Sequence, residues 1–304
     1  MRMALFCDIH LPLGRCPLGL LRSKRLLGWF NWRVRRGRLH RPELLARVVA
    51  DLKRSPPELI LVGGDLTNLA LPEEFQRAAL WLAELAEPER LVLVPGNHDA
   101  YVPGAFEEGA RMWARWLGGF LRHDRFPYVV ERGRITVVAA STAEPSPPGY
   151  ATGRLGARQL ARIEEELVRA RARGSWRVLL LHHPPHAAVA PRKRLIDREQ
   201  LCRVLRRAGA ELVLFGHLHR FERVELQGPA GTIPGFMAPS ASLRDPRPGR
   251  RAGYLLFDLD PDRGRLAWRL RGFDPSFTRI EDLARGEERL VAEAPAAAEA
   301  EGER

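Results

Sequence analysis

Five short stretches of this chain place metal-ligand side chains directly after an apolar run. They are Asp8-Ile9-His10, Gly64-Asp65, Pro95-Gly96-Asn97-His98-Asp99, His182-His183-Pro184-Pro185-His186 and Gly216-His217-Leu218-His219. In the third, the run from Leu91 to Val94 stops at Pro-Gly, because proline cannot donate to a sheet ladder and glycine permits a tight turn. An amide, an imidazole and a carboxylate follow at a strand's carboxyl end, where open α/β sheets bind ligands. If the strands share one sheet, the five loops converge at one edge. Carboxylate, imidazole and amide oxygen together suit Mn, Fe, Zn or Ni better than Ca or Mg. The set is too large for one tetrahedral zinc. It suits two ions sharing a carboxylate, which clamp both the attacking and the leaving oxygen of a phosphoryl displacement.

Each residue taken alone has an ordinary explanation. An isolated Asp8 or Asp65 would cap a helix or turn, and His217 and His219 share a face of any extended chain. His40, His123 and His186 read as surface or core histidines, and Cys7 as core. The recurrence at five strand ends is what argues for chemistry.

The elements that must position these residues are legible in the apolar pattern. Buried strands are expected at Met3 to Cys7, Leu59 to Val62, Leu91 to Val94, Arg177 to Leu181 and Glu211 to Phe215. Helices are expected from Pro42 to about Lys53, from Pro72 to about Ala86, over 104 to 121 with Phe106, Trp113, Trp116 and Phe120 on one face, from Leu155 to Arg173, and from Asp197 to Ala208. A hairpin joins Tyr128 to Glu131 with Ile135 to Ala140 through Arg132-Gly133-Arg134. Short strands alternate from Phe221 to about Gly272. The Ala- and Glu-rich end reads as a frayed helix or disordered tail, so the domain is expected over 1–275 and a tail over 276–304.

The order and spacing of Asp8-x-His10, Gly64-Asp65, Gly96-Asn97-His98-Asp99, the pair at His182 and Gly216-His217-x-His219 resemble the five motifs of the calcineurin-like metallophosphoesterases over residues 4 to 220. The resemblance implies an α/β fold, a single-domain four-layer α/β/β/α sandwich. It implies one ion on Asp8, His10, Asp65 and His219 and another on Asp65, Asn97, His182 and His217, with Asp65 bridging. Manganese is the first metal to try. The implied reaction is attack of a metal-bound hydroxide on a phosphodiester or pyrophosphate. His98 would face the phosphate and stabilise the transition state or protonate the leaving oxygen. Asp99 would cap the following turn or orient His98, and His183 would support His182. In motif style the chain is most similar to the cyclic-nucleotide phosphodiesterase branch. Leu66-Thr67-Asn68 stands where the protein phosphatases carry Asp-Arg-Gly, and His98 where lipid-pathway pyrophosphohydrolases usually carry arginine. A metal-binding scaffold without turnover is the alternative of another class.

The net charge of +12 is mostly local. No acidic residue lies between Asp8 and Glu43, whereas nine basic ones do: Arg15, Arg22, Lys24, Arg25, Arg33, Arg35, Arg36, Arg38 and Arg41. With Leu20, Leu21, Leu26, Leu27, Trp29, Phe30 and Trp32 interleaved, this insertion (about 11–41) has three readings. Residues 18–38 could contact an anionic membrane, as for a hydrolase of lipid-linked or sugar-nucleotide pyrophosphates; the segment could be a lid whose arginines grip a small phosphorylated substrate; or it is a surface helix packed on the domain. Nucleic acid ranks last as a partner, because no strand- or duplex-binding motif accompanies the charge. The oligomeric state is not readable. Three scattered cysteines, no spanning apolar run and no signal-peptide pattern lead to the expectation of a cytoplasmic protein, in one reading peripheral at the inner face of the membrane.

Overall fold

A computed structural model describes residues 1–14, 19, 24–117 and 126–290. Cys16, Phe120, His123, Leu20-Leu21 and the last fourteen positions therefore lie outside the described residues. Two six-stranded sheets make up the core. The first runs β12-β11-β10-β1-β2-β3 and the second β4-β5-β6-β7-β9-β8. In the first, β1 (Arg2–Phe6), β2 (Leu59–Val62) and β3 (Leu91–Leu93) are parallel, and β10 (Gly253–Asp260), β11 (Arg265–Phe273) and β12 (Ile280–Arg289) add to it antiparallel. In the second, β5 (Ile135–Ala139), β6 (Trp176–Leu180), β7 (Leu212–Phe215) and β9 (Gly231–Met237) are parallel; β4 (Tyr128–Arg132) and β8 (Glu222–Gly228) pair antiparallel at its edges.

The period of two along each strand decides the layering. Val137, Val178, Leu180, Leu212 and Leu214 point into the core shared with the first sheet. Their neighbours Val138, Leu179, Val213 and Phe215 join a second cluster with Leu160, Ile163 and Leu167, and with Leu201, Val204 and Leu205. Those residues belong to α5 (Ala157–Ala172) and α6 (Arg198–Ala208). On the first sheet the covering helices are α2 (Pro42–Arg54), through Leu44, Leu45, Val48 and Leu52, and α3 (Pro72–Leu85), through Phe75, Ala78, Leu82 and Leu85. Helix, sheet, sheet, helix is the order of layers, as expected. A short α4 (Ala105–Gly109) and a tighter 3₁₀ run (Ala110–Trp116) bury Phe106, Trp113 and Trp116.

The carboxyl-terminal boundary is corrected. Where a tail was expected from 276, β12 lies antiparallel to β11 as the edge of the first sheet. Its apolar residues Ile280, Leu283 and Ala284 are only partly buried and carry a helical spacing, which disguises the strand. Main-chain pairing and cross-strand charges hold it. Arg271 pairs with Asp282 at 2.9 Å, Arg265 with Glu287 at 2.7 Å, and Arg223 of β8 with Glu288 at 2.7 Å. Gly286 is required opposite Trp268, whose ring would lie 2.6 Å from any Cβ placed there.

The basic insertion is not a simple helix. α1 (Lys24–Asn31) runs into a π-helical stretch (Trp32–Arg36) and a last helical turn (Gly37–Leu39). It is tied down by Arg25, which donates to the carbonyls of Leu69 and Ala70, and by Arg244 N–H donating to Leu39 O at 2.7 Å. Trp32 is buried, whereas Leu26, Leu27, Phe30 and Val34 are among the most exposed large apolar side chains described.

Candidate metal centre

All five expected loops leave the carboxyl ends of parallel strands at one edge of the sandwich: β1, β2 and β3 from one sheet, β6 and β7 from the other. Their backbones interlock. Asp8 N–H donates to Gly64 O (3.0 Å) and His10 N–H to Asp65 O (2.9 Å). His217 N–H donates to Asp8 Oδ2 at 3.0 Å and His182 Nδ1–H to Gly63 O at 2.6 Å, so each sheet holds a residue of the other. Gly64, at φ +92°, abuts Gly96, and a side chain on Gly96 would strike the Asp65 carboxylate.

Among the described residues, five of the seven non-glycine positions with positive φ are Asp8, His10, Asp65, His217 and His219. Such backbone is uncommon outside glycine and costs roughly 1–3 kcal/mol each, which persists only where the surroundings enforce it and concentrates at functional sites.

Asp99 is the clamp. Fully buried, it accepts from Asp65 N–H and Gly96 N–H at 2.9 Å through Oδ2, and through Oδ1 from Thr67 N–H at 2.9 Å, Leu66 N–H at 3.1 Å and the Thr67 hydroxyl at 3.0 Å. Burial, with Asp65's charge adding, raises its pKa, but both oxygens face only donors, which hold it as the carboxylate. His98 is oriented elsewhere: its Nδ1–H donates to Asn68 O at 2.6 Å. Asp99 therefore takes neither expected role: instead of capping the following turn or orienting His98, it ties the β2 loop at Asp65, Leu66 and Thr67 to its own loop at Gly96.

The expected ligands converge. One donor atom each of Asp8, His10, Asp65 and His219 lies within 4.8 Å of the others. Asp65 Oδ2 sits 3.7 Å from His10 Nε2 and 3.5 Å from His182 Nε2, one histidine from each expected ligand set. In the second set the His182 and His217 rings are 5.2 Å apart between centroids, close to the 5.1 Å of His10 and His219 in the first. Asp8 Oδ1, Asn97 Oδ1, His182 Nε2, His183 Nε2 and His217 Nε2 are all buried without a hydrogen-bond partner among the described residues. A buried polar atom left unmatched costs about 1–3 kcal/mol. Lone pairs gathered from several loops at that cost fit divalent cations, which the donor chemistry also suits. His183 Nδ1 meets the Thr142 hydroxyl at 2.7 Å and its ring tilts against His217 at 4.3 Å. It stands beside the ligands rather than among those facing Asp65.

Charge follows this packing. Burial depresses His10, and Arg36's charge adds to it. Burial alone would do the same to His182, but Asp65 and Asp8 outweigh it and raise the imidazole to about 9. Burial and Arg36 lower His98 to about 3.

Two residues of this site were not foreseen. Arg36 reaches in from the π-helical stretch; Nη1 donates to His98 Nε2 at 2.5 Å and Nη2 to His10 Nε2 at 2.8 Å. His40 is buried against His10 (4.4 Å between centroids) under Trp32, its Nδ1 2.9 Å from the Ser242 hydroxyl. It also groups with His10 and His219 as a possible cation site. Nothing in the sequence marks which of the insertion's arginines turns inward; the wide π turn redirects Arg36 relative to the exposed ridge.

The sequence model of the calcineurin-like phosphoesterases matches residues 1–221. The chain belongs to that family. A Synechococcus protein named as a probable cyclic nucleotide phosphodiesterase is 27% identical over 73% of this chain and 81% of its own length. A glycerophosphodiester phosphodiesterase from Enterobacter lignolyticus is 32% identical over 46% of this chain and 47% of its own. The chain thus spans about half of that second relative. Among solved structures, a dimetal phosphatase from Danio rerio superposes with a TM-score of 0.60 at 15% identity, over 93% of this chain and 98% of that one. At that identity the likeness is one of fold. Members of the family bind divalent metal ions, and the Asp8, His10, Asp65 and His219 cluster could hold one here.

Proposed function

We propose that this chain is a dinuclear-metal-dependent phosphohydrolase that cleaves a phosphodiester or pyrophosphate bond in a small phosphorylated substrate. One observation carries the reading. Ligand-type residues from five strand ends, most held in strained left-handed backbone, aim unmatched buried donor atoms at one place. Asp8, His10, Asp65 and His219 would hold one ion, and Asp65, Asn97, His182 and His217 the other. When bound, such ions neutralise phosphate charge and lower the pKa of a coordinated water several units. The protein's own part is positional. Asp99 fixes the loops carrying Asp65 and Asn97, and Gly63 O and Thr67 O hold His182 and His10 with Nε2 inward. His98 presents Nε2 to the site as a neutral acceptor, so it can give a proton to a leaving oxygen only after taking one up there. The phosphodiesterase names of the two sequence relatives favour a diester.

Hydrolysis of bis-p-nitrophenyl phosphate with added manganese tests this. Turnover abolished by Asp65→Ala and by Asn97→Ala supports the enzyme. No turnover with any divalent metal, despite bound ions, would make the chain a metal-binding scaffold.

A second reading rests on the ridge of Leu26, Leu27, Phe30 and Val34, exposed beside Arg33, Arg35 and Arg38 on the segment that borders the site. Exposed apolar side chains flanked by cations suit an anionic bilayer, which would present a lipid-linked substrate. Among the described residues no helix is long and apolar enough to cross a membrane, so such contact would be peripheral. Flotation with phosphatidylglycerol liposomes, lost in Leu27→Glu/Phe30→Glu, is the expected result; equal flotation of both proteins sinks the idea.

A further inference from the structure

The metal centre opens into a cleft of about 340 Å³, within the range of small-molecule sites. Its rim comes from two sides. The insertion contributes Asn31, Arg35, Arg36 and His40, and the loops opposite contribute Lys193, Arg247 and Arg250. Arg247 is matched by Asp245, with its Nε 2.8 Å from Oδ1. Among the described residues, Arg35, Lys193 and Arg250 make no side-chain ion pair, and the hydrogen bonds of the Arg36 guanidinium go to the imidazoles of His98 and His10. Among the described residues, Asp245 is the single carboxylate on the rim outside the metal centre.

Such crowding is unfavourable in itself. Lys193 is depressed by burial and then by the charge of Arg36, with Arg250 also contributing; Arg250 is depressed by burial and then by Arg247. Metal would add to it. Arg36 Nη2 lies against His10 Nε2, the atom an ion would take, so ion and guanidinium cannot share that place and the guanidinium must shift toward the rim. The charge of two divalent ions would be balanced by Asp8, Asp65, the attacking hydroxide and the single charge of the scissile phosphodiester, with none left over for the rim. The cations on both sides of the cleft are left without counter-charge.

We propose that this rim binds a second anionic group of the substrate, a further phosphate or a second phosphate of a pyrophosphate link, held between the insertion and the loops at Lys193 and Arg250. The proposal rests on the hydrolase reading above and narrows it from phosphodiesters in general to polyanionic ones. Arg35, Lys193 and Arg250 then act as specificity residues. Guanidinium groups suit phosphate through paired N–H donors, and an ammonium serves as a point charge.

The test compares two substrates with the same leaving group, thymidine 5′-(p-nitrophenyl phosphate) with and without a 3′-phosphate, on the manganese-loaded protein. The added phosphate should raise kcat/KM at least roughly tenfold at low salt, since each charge-assisted contact is worth about that factor or more. The advantage should shrink in 0.5 M NaCl, because exposed charges are screened. Lys193→Ala and Arg250→Ala should each cut the ratio of the two kcat/KM values about tenfold, whereas Arg263→Ala, on the distant β10–β11 turn, leaves it unchanged. A ratio near one, or a ratio indifferent to both rim variants, overturns the proposal. If neither ester is hydrolysed, turnover of bis-p-nitrophenyl phosphate decides the hydrolase reading, and calorimetry decides the rim separately. Thymidine 3′,5′-bisphosphate should then bind at least tenfold tighter than thymidine 5′-phosphate, and equal affinities would overturn it.

Discussion

Asp99→Asn is the substitution whose consequence follows most directly from the structure. It keeps the volume of the side chain and replaces one acceptor oxygen with an NH₂ donor. If the amide nitrogen takes the Oδ2 position, Asp65 N–H and Gly96 N–H face a donor; if it takes Oδ1, Leu66 N–H and Thr67 N–H do, and only the Thr67 hydroxyl can turn to accept. Either orientation leaves two buried donors unmatched. At about 1–3 kcal/mol each, less a gain from no longer burying a charge beside Asp65, the net loss is about 3 kcal/mol. For a chain of this size that is a fall in Tm of roughly 5 °C. The loops so released carry Asp65 and Asn97, so metal retention should fall as well. Differential scanning fluorimetry and plasma mass spectrometry of dialysed protein read the two effects. An Asp99→Asn protein that melts within a degree of wild type and keeps its full metal content would refute the view that Asp99 clamps the two loops.

The Pro-Gly-Asn-His turn separates two kinds of failure: Asn97→Ala should lose metal from one site, whereas His98→Ala should keep both ions and lower kcat by about 10²–10⁴, as removal of a positioned proton carrier does. Equilibrium dialysis and steady-state rates distinguish them, and metal loss in His98→Ala would contradict the assignment. Arg177 and Glu211 form an ion pair under α6 at 2.6 Å, both buried, so Arg177→Met should cost about 3–5 kcal/mol in urea unfolding by stranding a carboxylate. Adding Glu211→Leu should recover much of that loss; a single variant as stable as wild type would discount the pair. Burial lowers Lys24 to about 8, below the ordinary ammonium value near 10.4, so the folded chain gives up this proton first. Stability should therefore contain a component that rises from pH 8 to about 10 and is absent from Lys24→Met; parallel stability curves would exclude it.

Much of the fold was legible because burial writes itself into sequence periodicity. Leu59 to Val62 and the strands that alternate between the two clusters are apolar enough to be read without a partner, and Pro42 and Pro72 mark helix starts. The site residues were legible for a related reason: each ligand follows a strand, and parallel strands bring their carboxyl ends together. The illegible parts are held by other forces. β12 is fixed by pairing and cross-strand charges, which leave no apolar alternation. Arg36 enters the site through a π-helical turn, and a run of similar arginines cannot say which one turns inward. His40 owes its place to Ser242 and Trp32, contacts that exist only once distant loops meet. Asp99 looked like a local cap because its partners on the β2 loop are more than thirty residues away.

The central claim is a pair of ions sharing Asp65, and manganese supplies the most direct probe of it. Electron paramagnetic resonance of the manganese-loaded protein, with metal content measured on the same sample, should show two ions per chain and a spin-coupled signal, replaced in Asp65→Ala by that of isolated ions with reduced occupancy. A wild-type protein that saturates with a single ion, or with two that show no coupling, would contradict the account.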